Sequence, residues 1–243
     1  MASQGARVAS RPSSAKLMAN RLNTGQIMRP ILYSFRRCPY AMRARLAIAS
    51  AGLVPEHREI VLRDKAPAFL AASPKGTVPV VKDGDTVIEE SLDVMLWALR
   101  QSDPDALLDM PRAGFDVIAT NDGPFKHALD RTKYPDKFGS DPAQARAAAQ
   151  DFLDQLSQTL GDKAFLYGDS PRLADYAILP FVRQFAHVDR ARFDIDAPAP
   201  VRHWLDAFLA SDHFAGIMQK YPKWHDGDPV TLFQDAPRPT APA

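Results

Sequence analysis

The chain has 243 residues, with 30 Lys and Arg against 29 Asp and Glu, and one cysteine. Its formal net charge of +1 provides no global field that would attract nucleic acid or an anionic lipid surface. A single cysteine excludes an internal disulfide framework and a multi-cysteine metal site. No apolar run approaches the ~18 residues of a membrane-spanning helix. We therefore expect no metal, no nucleic-acid partner and no membrane partner.

Residues 1–28 are rich in Ser, Ala, Arg and Gln, and the first acidic residue of the chain is Glu56. An acid-free leader with Arg and Ser is typical of a mitochondrial transit peptide. The simpler interpretation is a disordered extension, or a start codon placed too far upstream, since Met18 and Met28 are alternatives. We favour the simpler interpretation and a cytoplasmic protein, with a mitochondrial location as the alternative.

Cys38 lies where a short apolar strand pattern at 31–35 changes into a helix pattern at 39–51. The proline that follows it suits the first position of a helix, so Cys38 would lie at the helix N-terminus. Unpaired backbone N–H groups and the helix dipole stabilise a thiolate there, and an Arg-Arg pair directly precedes the cysteine. This context predicts a reactive thiol with a lowered pKa, rather than the small buried hydrophobe that a free cysteine most often is.

The next residues continue to alternate between strand and helix patterns. We predict strands at 57–62, 78–81 and 86–88, and helices at 65–72 and 89–100. Pro79 cannot donate to a strand ladder, so it must begin the strand or lie at its edge, and its peptide bond could be cis. The order βαβαββα predicts a mixed four-stranded sheet, with a parallel pair from the crossover and an antiparallel pair from the hairpin.

After Asp103 no convincing strand pattern occurs, which predicts an all-helical second half. Five helical segments are expected, at 111–133 with a break near Gly123-Pro124, and at 141–161, 173–190, 198–210 and 212–219. The third of these is apolar nearly all round and should be central. The aperiodic end of the chain predicts a loose tail. The expected units are an extension at 1–28, an α/β domain at 29–102, a helical domain at 103–225 and a tail at 226–243.

Three motifs at suitable spacing resemble the cytosolic glutathione transferase superfamily: Cys38-Pro39-Tyr40-Ala41, Val78-Pro79 and Glu90-Ser91. The cysteine places the chain near the omega-class and glutaredoxin-2-like members, and the resemblance covers roughly residues 29–225. It implies a thioredoxin-like N-terminal domain followed by an all-α C-terminal domain. It also implies glutathione as co-substrate and a possible homodimer.

The resemblance further implies that Cys38 forms a mixed disulfide with glutathione. Val78, before a cis Pro79, would bind the cysteinyl unit of glutathione through its backbone. Ala41 stands where a dithiol enzyme has its second cysteine, so only a monothiol route remains. The implied reaction is thiol transfer from a small-molecule or protein disulfide.

The two ends of glutathione are assigned by the same resemblance. Glu90 and Ser91 would bind the γ-glutamyl end, and Lys65 the glycine carboxylate. The physical chemistry agrees. A helix N-terminus at Ser91 favours the γ-glutamyl carboxylate, while Glu90 can pair with the ammonium group of glutathione and Lys65 with its glycine carboxylate. In one departure from the family, Arg172 stands where Ser or Thr is common, three residues before Asp175, so the resemblance does not extend to a complete reciprocal cap. We assign Asp175 to folding.

Two other functions stay open at this point. Conjugation of glutathione to an electrophile would need a hydroxyl near the glutathione thiolate, for which Tyr33 and Ser34 are the nearby candidates. Some proteins with this fold have lost catalysis and act only as binding partners. For the second substrate, Tyr40 and Phe125 are the candidate pocket residues, although aromatic side chains of this kind also pack in cores.

Overall fold

The computed structural model describes residues 29–233. Its first half contains four strands, β1 (Ile31–Ser34), β2 (Glu56–Glu59), β3 (Val80–Asp83) and β4 (Thr86–Ile88). They form one sheet in the spatial order β2-β1-β3-β4. β1 pairs in parallel with β2, whereas β3 pairs antiparallel with β1 and with β4. The predicted mixed sheet and its strand order along the chain are confirmed.

Three helices connect these strands and complete the first half: α1 (Pro39–Ser50), α2 (Pro67–Ala72) and α3 (Ser91–Gln101). In α1 every residue except Tyr40 is buried, because the helix packs against α3 on one side and against a helix of the second half on another. The hydrophobic core that includes Leu46 continues without a break to Leu179 and Phe181. The two halves therefore share one core.

The second half is helical. Its helices are α4 (Ala113–Thr120), α5 (Lys126–Lys133), α6 (Pro135–Phe138), α7 (Pro142–Leu160), α8 (Leu173–Ala186), α9 (Arg190–Asp196), α10 (Ala199–Leu209) and α11 (Asp212–Ile217). The short helices α6 and α9 have no counterpart among the predicted segments. Within the described residues, no helix is long and apolar enough to cross a bilayer.

The predicted break near Gly123-Pro124 is a π-helical turn, Asn121–Phe125, that joins α4 to α5. Proline has no N–H to donate and its ring crowds the carbonyl four residues earlier. A wider turn relieves both problems without ending the helix. The turn therefore keeps α4 and α5 continuous, and their buried face runs through it from Ile118 by way of Phe125 to Leu129.

Asp175, in the first turn of α8, is fully buried. Its carboxylate accepts hydrogen bonds from the backbone N–H groups of Leu166 (2.9 Å) and Arg172 (2.8 Å) and from the Trp204 indole (3.0 Å). Burial raises the pKa of Asp175 to about 6, although these donors act in the opposite direction. A reciprocal cap would also need the Arg172 side chain to accept a hydrogen bond from the Asp175 N–H. A guanidinium has no acceptor atom, so only the Asp175 half of the cap is made. The assignment of Asp175 to folding agrees with these contacts.

The C-terminal segment 219–233 returns to the sheet and runs beside β2. The backbone of Trp224 donates to the Glu59 carbonyl (2.9 Å) and that of His57 donates to the Thr231 carbonyl (2.7 Å). The Phe233 side chain is buried. The expectation of a loose tail is therefore wrong for residues 231–233, because they pair with the edge of β2. Residues 234–243 and the predicted extension 1–28 lie outside the described residues.

Candidate active site

Cys38 lies between β1 and α1, as predicted. Its backbone is extended, with φ −75° and ψ 123°, and Pro39 is the first residue of α1. The Cys38 N–H donates to the Phe35 carbonyl (3.0 Å), and the Cys38 carbonyl accepts from the Met42 N–H (2.8 Å). The turn therefore fixes the backbone of the cysteine from both sides and directs its side chain past the helix N-terminus.

The thiol of Cys38 faces the loop that precedes β3. Its Sγ lies 3.7 Å from the Val78 carbonyl oxygen, and the Val78–Pro79 peptide bond is cis, as anticipated. Pro79 directly precedes β3, so it takes no N–H away from the ladder. Two motifs that are forty residues apart in sequence thus meet at the thiol.

Burial raises the pKa of the Cys38 thiol above its ordinary value. The backbone N–H groups of Ala41 and Tyr40 at the start of α1 oppose this, as do the charges of Arg45 and Lys126. The predicted lowering of the pKa is therefore wrong in direction, because desolvation outweighs the helix N-terminus. The cationic residues that act on the thiol come from α1 and α5, and the sequence pattern did not connect them with Cys38.

Arg45 on α1 is 1% exposed and fixes the turn that carries Cys38. Its guanidinium donates to Ser34 Oγ (2.6 Å), to the Arg36 carbonyl (2.7 Å) and to the Ile217 carbonyl at the end of α11 (3.0 Å). Burial lowers the pKa of Arg45 to about 10, which still leaves it charged at neutral pH. The Ser34 hydroxyl is buried beneath the turn and is not available to a ligand.

Arg43, two residues earlier on α1, is 2% exposed and connects the two halves of the protein. Its Nε donates to Ser91 Oγ (2.9 Å), while Nη1 and Nη2 donate to the two carboxylate oxygens of Asp122 (2.7 and 2.8 Å). Asp122 belongs to the π-helical turn. Because the guanidinium accepts nothing, Ser91 Oγ keeps its own proton free to donate. Sequence reasoning missed Arg43, which lies off the apolar stripe of α1 and so resembles a surface residue.

The other predicted glutathione-binding residues lie around the same edge of the sheet domain. Ser91 is the first residue of α3 and is buried, whereas Glu90, just before it, is exposed and pairs with Lys75. Lys65 lies in the loop before α2 rather than in a helix. Gly76, with φ +62°, leaves room there, since a Cβ at that position would lie 3.2 Å from Lys65 Nζ.

A groove opens on the other side of Cys38, between the sheet domain and the helical half. It has a volume of about 480 Å³ and is lined by Phe35, Arg37, Cys38, Pro39, Tyr40, Leu62, Lys126, Asp130, Lys133, Tyr134 and Gln184. The predicted pocket residue Tyr40 lies in this groove. Its ring packs edge-on against Phe181 at 4.8 Å, which holds it in place.

Phe125 is not a groove residue, and its assignment to the second-substrate pocket is wrong. It is 1% exposed and packs against Phe152 (4.8 Å) and Phe185 (5.6 Å) in the helical core. It lies on the same buried face as Ile118 and Leu129. Tyr33, a candidate hydroxyl for conjugation, is buried as well, and its oxygen accepts a hydrogen bond from Arg58 (2.9 Å).

Comparisons with known proteins agree on one family. A model described as "Glutathione S-transferase, N-terminal domain" matches residues 32–106, and one described as "Glutathione S-transferase, C-terminal domain" matches residues 126–207. Maleylacetoacetate isomerase of Pseudomonas aeruginosa is 28% identical over 198 residues, which cover 75% of this chain and 91% of the relative. Glutathione S-transferase omega-1 of Mus musculus is 26% identical over 201 residues, which cover 75% and 79%.

Solved structures show the same architecture. Glutathione transferase Omega 3C from Trametes versicolor superposes with a TM-score of 0.66 at 19% identity, covering 89% of this chain and 99% of that one. A glutathione transferase family member from Pseudomonas fluorescens, solved with two glutathione bound, gives a TM-score of 0.68 at 17% identity, covering 82% and 96%. At these identities the likeness shows the fold, a sheet domain followed by a helical one.

Proposed function

Since the chain belongs to the glutathione S-transferase family, we propose that it is a cysteine-type member that transfers thiols, with Cys38 as the nucleophile. The observation that supports this most directly is the position of the Cys38 thiol. It lies at the start of α1, 3.7 Å from the Val78 carbonyl, between the proposed glutathione site and the groove. A sulfur in that position can react with a ligand that reaches it from either side.

Glutathione would bind along the edge formed by the loop before β3 and the first turn of α3. The Val78 backbone would pair with its cysteinyl unit. The Ser91 hydroxyl, with its proton free to donate, would meet the γ-glutamyl carboxylate at the N-terminus of α3. Glu90 would attract the ammonium group and Lys65 the glycine carboxylate.

The reaction would then run in two balanced steps. In the first, the Cys38 thiolate attacks the glutathionyl sulfur of a mixed disulfide, forms a Cys38–glutathione disulfide and releases the other thiolate, which takes up a proton. In the second, the thiolate of a second glutathione attacks the bound glutathionyl sulfur, releases Cys38 and yields glutathione disulfide. The chain has no other cysteine, so the second glutathione must resolve the intermediate.

Conjugation is a second candidate because the pKa of Cys38 is raised. A protonated thiol could donate a weak hydrogen bond to a glutathione thiolate, and the glutathione sulfur would then attack an electrophile. The hydroxyls of Tyr33 and Ser34 are poorly suited to that place, because Ser34 is fully buried beneath the Cys38 turn and the Tyr33 oxygen lies against Arg58 on β2.

The deciding experiment compares wild type with Cys38→Ser on three substrates: a glutathione mixed disulfide, dehydroascorbate and a chloronitrobenzene. We expect Cys38→Ser to lose thiol transfer by at least about 10²-fold, because its hydroxyl is not a nucleophile at neutral pH. Intact mass should show a glutathione adduct on wild type only. Full thiol-transfer activity in Cys38→Ser would overturn the proposal, and a gain of conjugation would show that the second candidate operates once the thiol is removed.

A further inference from the structure

We propose that the groove beside Cys38 selects second substrates that carry a negative charge next to an aromatic or apolar body. This rests on the proposed thiol-transfer function and specifies what that function acts on. The groove is contiguous with the thiol, which is one of its lining groups. A leaving group expelled from Cys38 would therefore lie against its walls.

The charges of the groove are unbalanced. It contains three cationic side chains, Arg37, Lys126 and Lys133, and one carboxylate, Asp130. Asp130 pairs with Lys126 one turn earlier on α5, so that acid is already neutralised. Among the residues at 29–233, no carboxylate lies within ion-pair distance of Arg37 or Lys133. Two positive charges are thus left for a ligand.

Aromatic rings hold these two cations at the rim of the groove. The Arg37 guanidinium lies 5.6 Å from the centre of the Phe35 ring, and Lys133 Nζ lies 5.0 Å from the centre of the Tyr134 ring. Such contacts stabilise a cation only modestly at an exposed site, so they leave its charge available. A carboxylate that approaches the rim can pair with either cation.

The walls of the groove are apolar and partly open. Leu62 is 43% exposed and Tyr134 is 44% exposed, and the ring of Tyr40 completes the wall nearest the thiol. Burial raises the pKa of the Tyr40 hydroxyl to about 12, so this residue adds no negative charge at neutral pH. A flat apolar group would cover these side chains while its anionic substituent stays at the rim.

Lys126 lines the groove and also acts on the reacting thiol. Its charge acts on the Cys38 thiol, and its side chain is only 16% exposed. When the thiolate of Cys38 attacks a glutathione–arylthiol disulfide, the negative charge passes to the departing aryl sulfur. A cation close to Cys38 favours both the attacking and the departing thiolate, whereas Arg37 and Lys133 favour the carboxylate that the substrate carries throughout.

The test uses two mixed disulfides of glutathione, one with 5-thio-2-nitrobenzoate and one with 4-nitrothiophenol. Both release a coloured nitrothiolate, and they differ by one carboxylate. The reaction is run without free glutathione, so that each protein molecule releases at most one equivalent of nitrothiolate. This release reports only the attack of Cys38 on the mixed disulfide, and the charge of a second glutathione does not affect it. Rates are normalised to the reaction of each disulfide with a free thiol.

We expect wild type to favour the carboxylated disulfide by about tenfold, since each rim charge contributes about three- to fivefold. Arg37→Met and Lys133→Met should each lose about that factor on the carboxylated disulfide and change the neutral one less than about twofold. Lys137→Met, an exposed lysine on α6 outside the groove lining, is the matched control. The preference should also shrink at high salt.

Equal normalised rates for the two disulfides in wild type would overturn the proposal while leaving thiol transfer intact. An unchanged preference in the Arg37→Met/Lys133→Met double variant would overturn it as well. Failure of the proposed function looks different, because neither disulfide would then react faster with wild type than with Cys38→Ser. The neutral disulfide also checks that each variant is folded.

Discussion

The two sides of Cys38 are built in different ways. On the proposed glutathione side, Ser91 is held by the buried Arg43, which binds Asp122 through two further hydrogen bonds. On the groove side, Leu62, Lys133 and Tyr134 are partly exposed, and Lys133 contacts the Tyr134 ring. Ser91 on the first side is thus fixed by buried, charge-assisted hydrogen bonds, whereas these three groove residues are partly exposed side chains.

We expect the buried contacts to determine the stability of the protein and the exposed groove residues to determine which substrate it prefers. Bidentate arginine–carboxylate pairs are strong and directional, and removing one partner of a buried pair is costly. Exposed ion pairs and apolar contacts contribute little to stability. The buried part of the proposed glutathione side should therefore tolerate few substitutions, while the exposed part of the groove can change its preferred substrate without a change in fold. Substitutions on each side test this contrast.

The largest effect is expected for Arg43→Met. It removes the hydrogen bond to Ser91 and both bonds to Asp122, and it should lower the free energy of unfolding by about 3 kcal/mol. The lower end of the usual range applies because the Asp122 side chain is 30% exposed and can regain water. Glutathione binding should weaken several-fold as well, since Ser91 loses its positioning partner.

Denaturant unfolding and calorimetric titration with glutathione measure the two effects. The matched control is Arg63→Met, an exposed arginine before α2, which should change the free energy of unfolding by less than about 0.5 kcal/mol. If Arg43→Met and Arg63→Met unfolded at the same denaturant concentration, the buried arginine would not be what holds the two halves together.

The fold and the backbone half of the site could be predicted from the sequence because their signals are local. A proline after Cys38, a proline after Val78 and a helix start at Ser91 each fix the backbone within a few residues. The structure brings the first two together at 3.7 Å. Short motifs predict backbone geometry well when the geometry is set by the motif itself.

What the sequence did not predict depends on contacts between distant elements. Arg43 and Arg45 lie off the apolar stripe of α1, so their position in the sequence resembles that of surface residues, yet α1 is enclosed on several sides and both are buried. Phe125 is a different case, because it lies on the same buried helical stripe as Ile118 and Leu129, and helical periodicity could have assigned it to the core. The pairing of residues 231–233 with β2 has no local signal, since an aperiodic segment shows no strand pattern.

Cys38 lies between the two sides, and we expect an effect of intermediate size on the pH dependence of its reaction with an alkylating reagent. Burial raises the pKa of its thiol, so the thiolate fraction at pH 7 should fall below the few per cent of a free cysteine. The rate of alkylation by iodoacetamide should increase with pH and reach its midpoint above the usual ~8.5. Because Cys38 is the chain's sole cysteine, intact mass reports this residue alone.

Lys126→Met should shift this midpoint further upward, since the Lys126 charge favours the thiolate, whereas Lys137→Met should leave it unchanged. A wild-type midpoint near pH 7 would show that the helix N-terminus outweighs burial, as the sequence context alone suggested.

The smallest effect on stability is expected on the groove side, for Leu62→Ser. Leu62 is 43% exposed, so little apolar area is lost, and the free energy of unfolding should change by less than about 0.5 kcal/mol. The reaction with the neutral aryl disulfide should nevertheless slow by about three- to fivefold, because a partly buried leucine contact is worth about 1 kcal/mol. Val54→Ser is the matched control, since Val54 is also 43% exposed and does not line the groove. If Leu62→Ser destabilised the protein as much as Arg43→Met does, the groove would be part of the folded core and its side chains could not vary independently of stability.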